Sequence, residues 1–392
     1  MLARLLKQLV RTGDLTFIDG RGRRHVFGDN TKPRARVRLQ SRTLDWSIAL
    51  NPTLRLGEAY MNGTLTLEEG GLVDFLAILA RNFANARGHP LYRVLNWLDR
   101  LMRPYNSLAA SRRNVAHHYD LSDRLYDLFL DSDRQYSCAY FETGQETLDE
   151  AQALKKAHIA KKLLLDRTGL KILDIGCGWG GLALHLAHVA GAEVMGITLS
   201  EEQLKAASGR AQREGLSKTV QFELQDYREI EGRFDRVVSI GMFEHVGKAN
   251  YVRFFRRLSD LLADDGIALV HTIGWLDEPG PINPFIRKYI FPGAEIPSLS
   301  EVAAVAERSG LTLCDVEILR QHYAHTLSHW RHRFEMNRAE VTRLYDESFY
   351  RMWEFYLAAC EVFFRYRPMV VFQIQLTKQL DRLPLTRGYM YR

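Results

Sequence analysis

The sequence predicts an α/β protein: a Rossmann-like parallel sheet with its crossover helices over residues 111–392, preceded by a smaller α+β domain over residues 1–110. Three observations predict it. From about residue 170, strand-like apolar runs alternate with helix-like ones, as a parallel sheet requires. The first of those strands runs directly into a glycine-rich turn, Gly176-Cys-Gly-Trp-Gly-Gly181. The charge, finally, is uneven: residues 1–113 hold 19 Lys and Arg against 9 Asp and Glu, a net +10, on a body that nets −4.

Taken in order, Met1-Leu-Ala-Arg-Leu-Leu-Lys-Gln8 reads as an amphipathic helix, too short and too charged for a signal peptide. Arg34-Ala-Arg-Val-Arg38 reads as a strand with three arginines on one face, because side chains alternate with period two. Leu56–Gly63 looks like a turn and short helix, and Gly71–Leu79 has helical spacing. Residues 82–113 read as a connector, with the domain boundary near 105–113. Strands are then expected at Lys171–Ile175, Glu193–Thr198, Val220–Leu224, Phe234–Ile240 and Gly266–His271. Helices are expected at Ala183–Ala190, Glu201–Glu214 and Tyr251–Leu262. Residues 274–299, with five prolines, read as an insertion, and Thr342–Arg365 as one aromatic helix.

Composition bounds the function. No apolar run approaches the roughly 18 residues that a spanning helix needs. Cys138, Cys177, Cys314 and Cys360 show no zinc spacing, so no metal is expected and reduced thiols in a cytoplasmic protein are. The basic front end points to an anionic surface.

Glycines at 176, 178 and 180, with Asp174 before them, are not spaced as the dinucleotide fingerprint. The tighter pattern fits a nucleoside–amino acid ligand passing over the loop with no pyrophosphate to cap. That ligand is S-adenosyl-L-methionine, and the chain reads as a methyltransferase using it. An acidic residue that would bind ribose at the end of the second strand is missing. Thr198 and Gln203, beside Leu199, offer neutral hydrogen bonds instead. Asp226, flanked by Gln225 and Tyr227, ends the third strand where the adenine amino group is expected.

Six motifs in order, His118-Tyr-Asp-Leu-Ser-Asp123, Tyr136-Ser-Cys-Ala-Tyr140, Leu173-Asp-Ile-Gly-Cys-Gly-Trp-Gly180, Leu224-Gln-Asp-Tyr-Arg228, Gly241-Met-Phe-Glu-His-Val-Gly247 and His271-Thr-Ile-Gly274, resemble the cyclopropane-fatty-acyl-phospholipid synthases, relatives of the mycolic acid cyclopropane synthases. Leu56–Gly63, Lys288–Pro292 and Tyr356–Cys360 extend the resemblance over nearly the whole chain. It implies transfer of the S-adenosylmethionine methyl to a cis double bond of a phospholipid acyl chain. The resulting cation then loses a proton from the added methyl, to a bound bicarbonate, and closes to a cyclopropane. It implies bicarbonate contacts at Cys138, Glu244, His271, the backbone of Ile273, and Tyr323. It implies cofactor contacts at Tyr136, Ser137, Gly176, Gly178, Thr198, Leu199, Gln203 and Asp226, with Tyr119 near the methionine carboxylate. Cys360 is a proposed active-site thiol in related enzymes, but no step needs a thiolate nucleophile, which favours a structural role. The implied setting is peripheral, on the inner face of an anionic membrane containing unsaturated phospholipid, with a homodimer possible.

Each residue also has a plain reading. Glu244 is an ordinary first-turn residue, His271 a bonded core histidine, Cys138 a small buried apolar group, and the aromatic run from Tyr345 to Phe364 core as readily as the wall of an acyl tunnel. A methyl branch, a methylene group or N-methylation stays open as the outcome. A nucleic-acid methyltransferase would explain the basic front, but the Asn/Asp-Pro-Pro-Tyr/Phe and Pro-Cys signatures are absent.

Overall fold

A computed structural model of the chain describes residues 1–82, 122–277, 280 and 282–391. Tyr119 and the start of the first motif lie outside the described residues. The contacts form two compact units: Met1–Pro104 with Pro281–Pro292 and Leu327–Pro368, and Tyr105–Gly280 with Gly293–Thr326 and Met369–Arg392. The division is therefore not one cut, as expected near 110. The chain returns twice to the first unit.

In the first unit, strands β1 (Asp14–Ile18), β2 (Arg24–Gly28), β3 (Arg34–Leu39) and β4 (Leu65–Glu69) form a sheet of order β2-β1-β3-β4. On β3 the alternation is as expected: Ala35, Val37 and Leu39 are buried and the arginines between them are not. The arginine face is not a free cationic surface, however. Arg34 pairs with Asp14 at 2.6 Å, Arg36 with Glu69 at 2.9 Å, and Arg38 with Glu68. The short helix expected at Leu56–Gly63 spans Pro52–Met61, opened by Pro52 where a missing N–H does no harm. The helix expected over Thr342–Arg365 is two, Arg338–Leu344 and Glu347–Tyr366. Asp346 breaks it, its carboxylate accepting the Phe349 N–H at 2.7 Å as an N-cap. Tyr350, Trp353, Phe355, Tyr356 and Phe364 of the second helix are buried. Phe355 meets Phe285 edge-on at 4.9 Å, so much of the aromatic run is core.

The second unit carries a seven-stranded sheet. Strands β5 (Lys171–Ile175), β6 (Glu193–Thr198), β7 (Val220–Leu224) and β8 (Phe234–Ile240) have their expected bounds. The fifth expected strand, β9, is longer, Leu262–Trp275, because it is paired on both sides. Strands β10 (Thr312–Leu319) and β11 (Met369–Thr377) were not expected. The order is β10-β11-β9-β8-β5-β6-β7, parallel from β9 to β7 and antiparallel at β11 and β10.

Successive residues of the central strands enter opposite cores. Ile172, Val238 and Leu269 pack with the helix Gly181–Ala190, whereas Leu173, Val237 and Val270 pack with the helix Tyr251–Leu261. Burial on both faces is why these strands read as continuous apolar runs. Among the described residues no helix is long and apolar enough to cross a membrane.

Candidate active site

The strand order reverses at β5, whose neighbours are β6 and β8. Such a switch point leaves a crevice at the carboxyl ends of the strands, where ligands of doubly wound folds bind. A cleft lies there. Its walls include Asp174, Gly176 and Gly178 after β5, Thr198, Leu199 and Gln203 after β6, and Gln225, Asp226 and Tyr227 after β7, with Tyr136 and Ser137 alongside.

Gly178 has φ +56°, and a Cβ built on it would meet nothing within 4 Å, so the backbone is open for a ligand to lie against. Gly180 does not line the cleft and its expected cofactor role is corrected. A Cβ there would sit 2.7 Å from the Phe222 ring at φ +83°, so this glycine serves helix–sheet packing.

Thr198 donates its hydroxyl to Gln203 Oε1 at 2.8 Å, and both are buried, which joins the neutral pair expected in place of a ribose carboxylate. Asp226 is less free than expected. Arg228 holds it through Nε–Oδ1 at 2.7 Å and Nη2–Oδ2 at 2.8 Å, and Oδ1 also accepts the Arg228 N–H. Oδ2 accepts one bond there and keeps an acceptor position for an amino group. Asp174 Oδ2 is buried with no partner among the described residues, and burial pushes that carboxyl up to about 7. An orphan acceptor beside an open glycine turn suits the hydroxyl and ammonium donors of S-adenosylmethionine.

Glu244, His271, Cys138 and Tyr323 are not among the residues lining this cleft. Glu244, on the short turn Phe243–His245 after β8, accepts the Ile273 N–H on Oε1 at 2.6 Å. Its Oε2 is buried without a partner among the described residues, and burial pushes the carboxyl up to about 7. The N–H of Ile273 is thus committed to Glu244 and not open to a bound ion, which narrows the backbone role expected of it. His271 lies two residues earlier on β9, and burial lowers its pKa well below the ordinary value, so the ring is neutral. Gln373 of β11 lies 3.2 Å from His271 Nδ1. The two side chains therefore hydrogen-bond to each other, which fixes the orientation of the imidazole on β9.

Cys138 is buried and its thiol is pushed up by burial, so it is a neutral donor, 3.3 Å from the Ala139 carbonyl. The next residue, Ala139, donates its N–H to Thr326 at 3.0 Å. Thr326 and the buried Tyr323 are three apart on the helix His322–Met336, hence on one face. An orphan carboxylate acceptor and a neutral imidazole suit a small anion that carries its own O–H, as bicarbonate does. Cys360 belongs to the first unit, apart from the unit holding the other five, and its thiol is pushed up to about 12 by burial.

Sequence reasoning missed the residues that hold this loop in place. The helix Leu148–Lys162 buries Gln152, Lys155, His158 and Lys162. Gln152 Nε2 donates to the Gln135 and Ser137 carbonyls at 3.2 and 3.0 Å, and Lys155 Nζ donates to Gln135 Oε1 at 2.5 Å and Ser137 Oγ at 2.8 Å. Their spacing was the available signal, but a polar stripe at helical spacing normally faces solvent. His245, neutral because burial lowers its pKa to about 4, also lines the cleft.

Comparison with known proteins gives the family. The family model for mycolic acid cyclopropane synthetase matches residues 106–374. The cyclopropane-fatty-acyl-phospholipid synthase of Escherichia coli strain K12 is 37% identical over 331 residues, covering 84% of each chain. A probable fatty acid methyltransferase of Pseudomonas putida is 42% identical over 289 residues, covering 71% of this chain and 73% of that one. Among solved structures, the mycolic acid cyclopropane synthase CmaA1 complexed with SAH and CTAB superposes with TM-score 0.65 at 34% identity, over 70% of this chain and 99% of that one. The chain belongs to the mycolic acid cyclopropane synthetase family and is an S-adenosylmethionine-dependent methyltransferase.

Proposed function

We propose that the enzyme converts a cis double bond in a phospholipid acyl chain to a cyclopropane, working on an anionic membrane surface. When bound, S-adenosylmethionine supplies the methyl group and bicarbonate accepts the proton that it sheds. The chain's own residues do the rest. Tyr136, Ser137 and the Gly176–Gly178 turn orient the donor in the cleft, where alignment matters most because an alkene is a weak nucleophile. Glu244 accepts a hydrogen bond on Oε2, the neutral His271 ring offers its Nε2, and Ile273 N–H fixes Glu244 in place. The observation that carries the reading is the buried Glu244 Oε2, without a partner among the described residues, on a carboxylate anchored to β9 two residues from the neutral His271, which simple N-methylation would not need.

Docking rests on the basic composition of the front of the chain. Because the β3 arginines are ion-paired, the attraction must draw on other cations there as well. The name of the Pseudomonas relative leaves a second reading, a methyl-branched or methylene-bearing fatty acid from the same cleft. Incubation with methyl-labelled S-adenosylmethionine and unsaturated phospholipid vesicles tests both. Mass spectrometry should show one CH2 gained per acyl chain, and proton NMR should show ring methylene in place of alkene signals. Label confined to nitrogen would reject the proposal, and alkene or branch signals would select the second reading.

A further inference from the structure

The helix Arg42–Leu50 of the first unit turns an apolar stripe to solvent. Trp46 is 61% exposed and Leu50 54%. They stand four residues apart, with Arg42 four residues before Trp46, so all three share one face of the helix. Ile48, on the opposite face, is buried. The helix Leu2–Leu9 packs against this one, burying Leu2 and Leu6 and exposing Arg4 and Lys7. A lone exposed apolar side chain is ordinary, but a Trp and a Leu held side by side on one face form a patch that calls for a partner.

The charge around this stripe is uncompensated. Arg34, Arg36 and Arg38 are matched by Asp14, Glu69 and Glu68, whereas Arg4, Lys7 and Arg42 have no ion pair among the described residues. The helix Leu2–Leu9 carries no carboxylate. Asp45, the one acid of the helix Arg42–Leu50, is half-buried and accepts the Gly20 N–H at 3.4 Å. Unpaired cations beside an apolar stripe suit a surface that is anionic outside and apolar beneath, as a phospholipid bilayer is. Indole settles at the headgroup level of such a surface, and Lys and Arg are drawn to its anionic lipids. A nucleic acid would answer the cations and leave Leu50 without a contact.

We propose that the helices Leu2–Leu9 and Arg42–Leu50 form the membrane-docking surface: Trp46 and Leu50 enter the boundary between headgroups and acyl chains of an anionic bilayer, while Arg42, with Arg4 and Lys7 on the adjoining helix, meets the lipid phosphates. This rests on the membrane reading above, and it locates the attraction that the paired arginines of β3 do not supply. Both helices are far too short to span and lie in the interface plane, their buried sides kept on the unit.

The test is co-sedimentation of the full chain with vesicles of mixed phosphatidylglycerol and phosphatidylcholine, and with phosphatidylcholine alone. One variant joins Trp46→Ala to Leu50→Ala, a second joins Arg4→Gln, Lys7→Gln and Arg42→Gln, and Leu385→Ala, at a fully exposed position of the second unit, is the control. Circular dichroism and calorimetry with S-adenosylhomocysteine select the folded variants. The double Ala variant should partition onto anionic vesicles about tenfold more weakly or worse, as expected for losing two buried apolar side chains. The triple Gln variant should lose about fivefold per charge on anionic vesicles, little on neutral ones, and less as salt is added. Leu385→Ala should bind as the parent does. Acyl chains brominated near the headgroup should quench a part of the parent's tryptophan fluorescence that Trp46→Phe lacks. A folded double Ala variant that sediments as the parent does overturns this surface and leaves the membrane reading standing. A parent that binds no anionic vesicle overturns both. A lipid-free parent oligomer that Trp46→Ala dissociates, read by analytical ultracentrifugation, assigns the face to a second copy and overturns the proposal.

Discussion

Glu244→Gln should make the protein more stable and less active at once. The carboxyl is 6% exposed and burial lifts it from an ordinary 4.5 to about 7. A folded-state pKa above the unfolded one means that the native state binds its proton more tightly. The carboxyl then favours folding below pH 4.5, and that advantage is lost as pH rises towards 7. One pKa unit is about 1.4 kcal/mol, so ionised Glu244 costs the fold up to about 3 kcal/mol above pH 7. The amide keeps an oxygen for the Ile273 N–H and carries no charge, which removes that penalty. It also turns the orphan acceptor Oε2 into a donor. Losing a charged acceptor at a buried hydrogen bond is worth about 1.5–3 kcal/mol, or roughly 10- to 150-fold in kcat/KM. Glu244 is not among the residues walling the cofactor cleft, so S-adenosylhomocysteine affinity should hold within about twofold by calorimetry. Thermal melts at pH 5 and pH 8 supply the stability difference, which should appear at pH 8 and shrink at pH 5. A variant less stable at pH 8, or one that is folded but no longer binds the cofactor product, would refute the reasoning.

Further predictions follow from single contacts. Cys360→Ala should keep most of the activity, since a thiol pushed up to about 12 offers no thiolate at neutral pH; inactivity in a folded variant would restore a covalent role. Gly178→Ala and Gly180→Ala should both lower stability by about 1 kcal/mol or more through their left-handed backbone; Gly180→Ala should cost more because its Cβ also meets the Phe222 ring, whereas Gly178→Ala, which meets no atom, should in addition weaken cofactor affinity. Chemical denaturation and calorimetry separate the two, and equal effects on stability would contradict their different surroundings. Replacing Arg34, Arg36 and Arg38 together by Gln leaves Asp14, Glu68 and Glu69 uncompensated, so sedimentation with anionic vesicles at low salt should fall and the deficit should narrow as salt is added. Unchanged sedimentation would place the docking surface elsewhere.

Much of the catalytic unit was legible in the sequence because its signals are local. Strands β5 to β8 are buried on both faces and read as apolar runs with sharp ends. The turn after β5 needs glycine for backbone reasons that no other residue satisfies. The same locality explains the alternation on β3, whereas the Asp346 cap that splits the helix expected over Thr342–Arg365 went unread. Glu244, His271 and Cys138 stood out through the motifs around them, each a short stretch of chain.

Tertiary structure decided the rest, because the deciding partner lies far along the chain. His271 is held by Gln373, and that pairing exists only because β11 inserts antiparallel between β9 and β10. β3 shows its arginines on one face in the sequence, but their charge is set by carboxylates on β1 and β4 that only the sheet brings opposite. Residues 281–292 and 327–368 join the first unit by packing, with no mark at the sequence breaks. The helix Leu148–Lys162 is the clearest case. A stripe of Gln, Lys, His and Lys reads as a solvated face, since periodicity tells which residues share a face and not what covers it. Folding turns that stripe inward, where Gln152 and Lys155 hold Gln135 and Ser137.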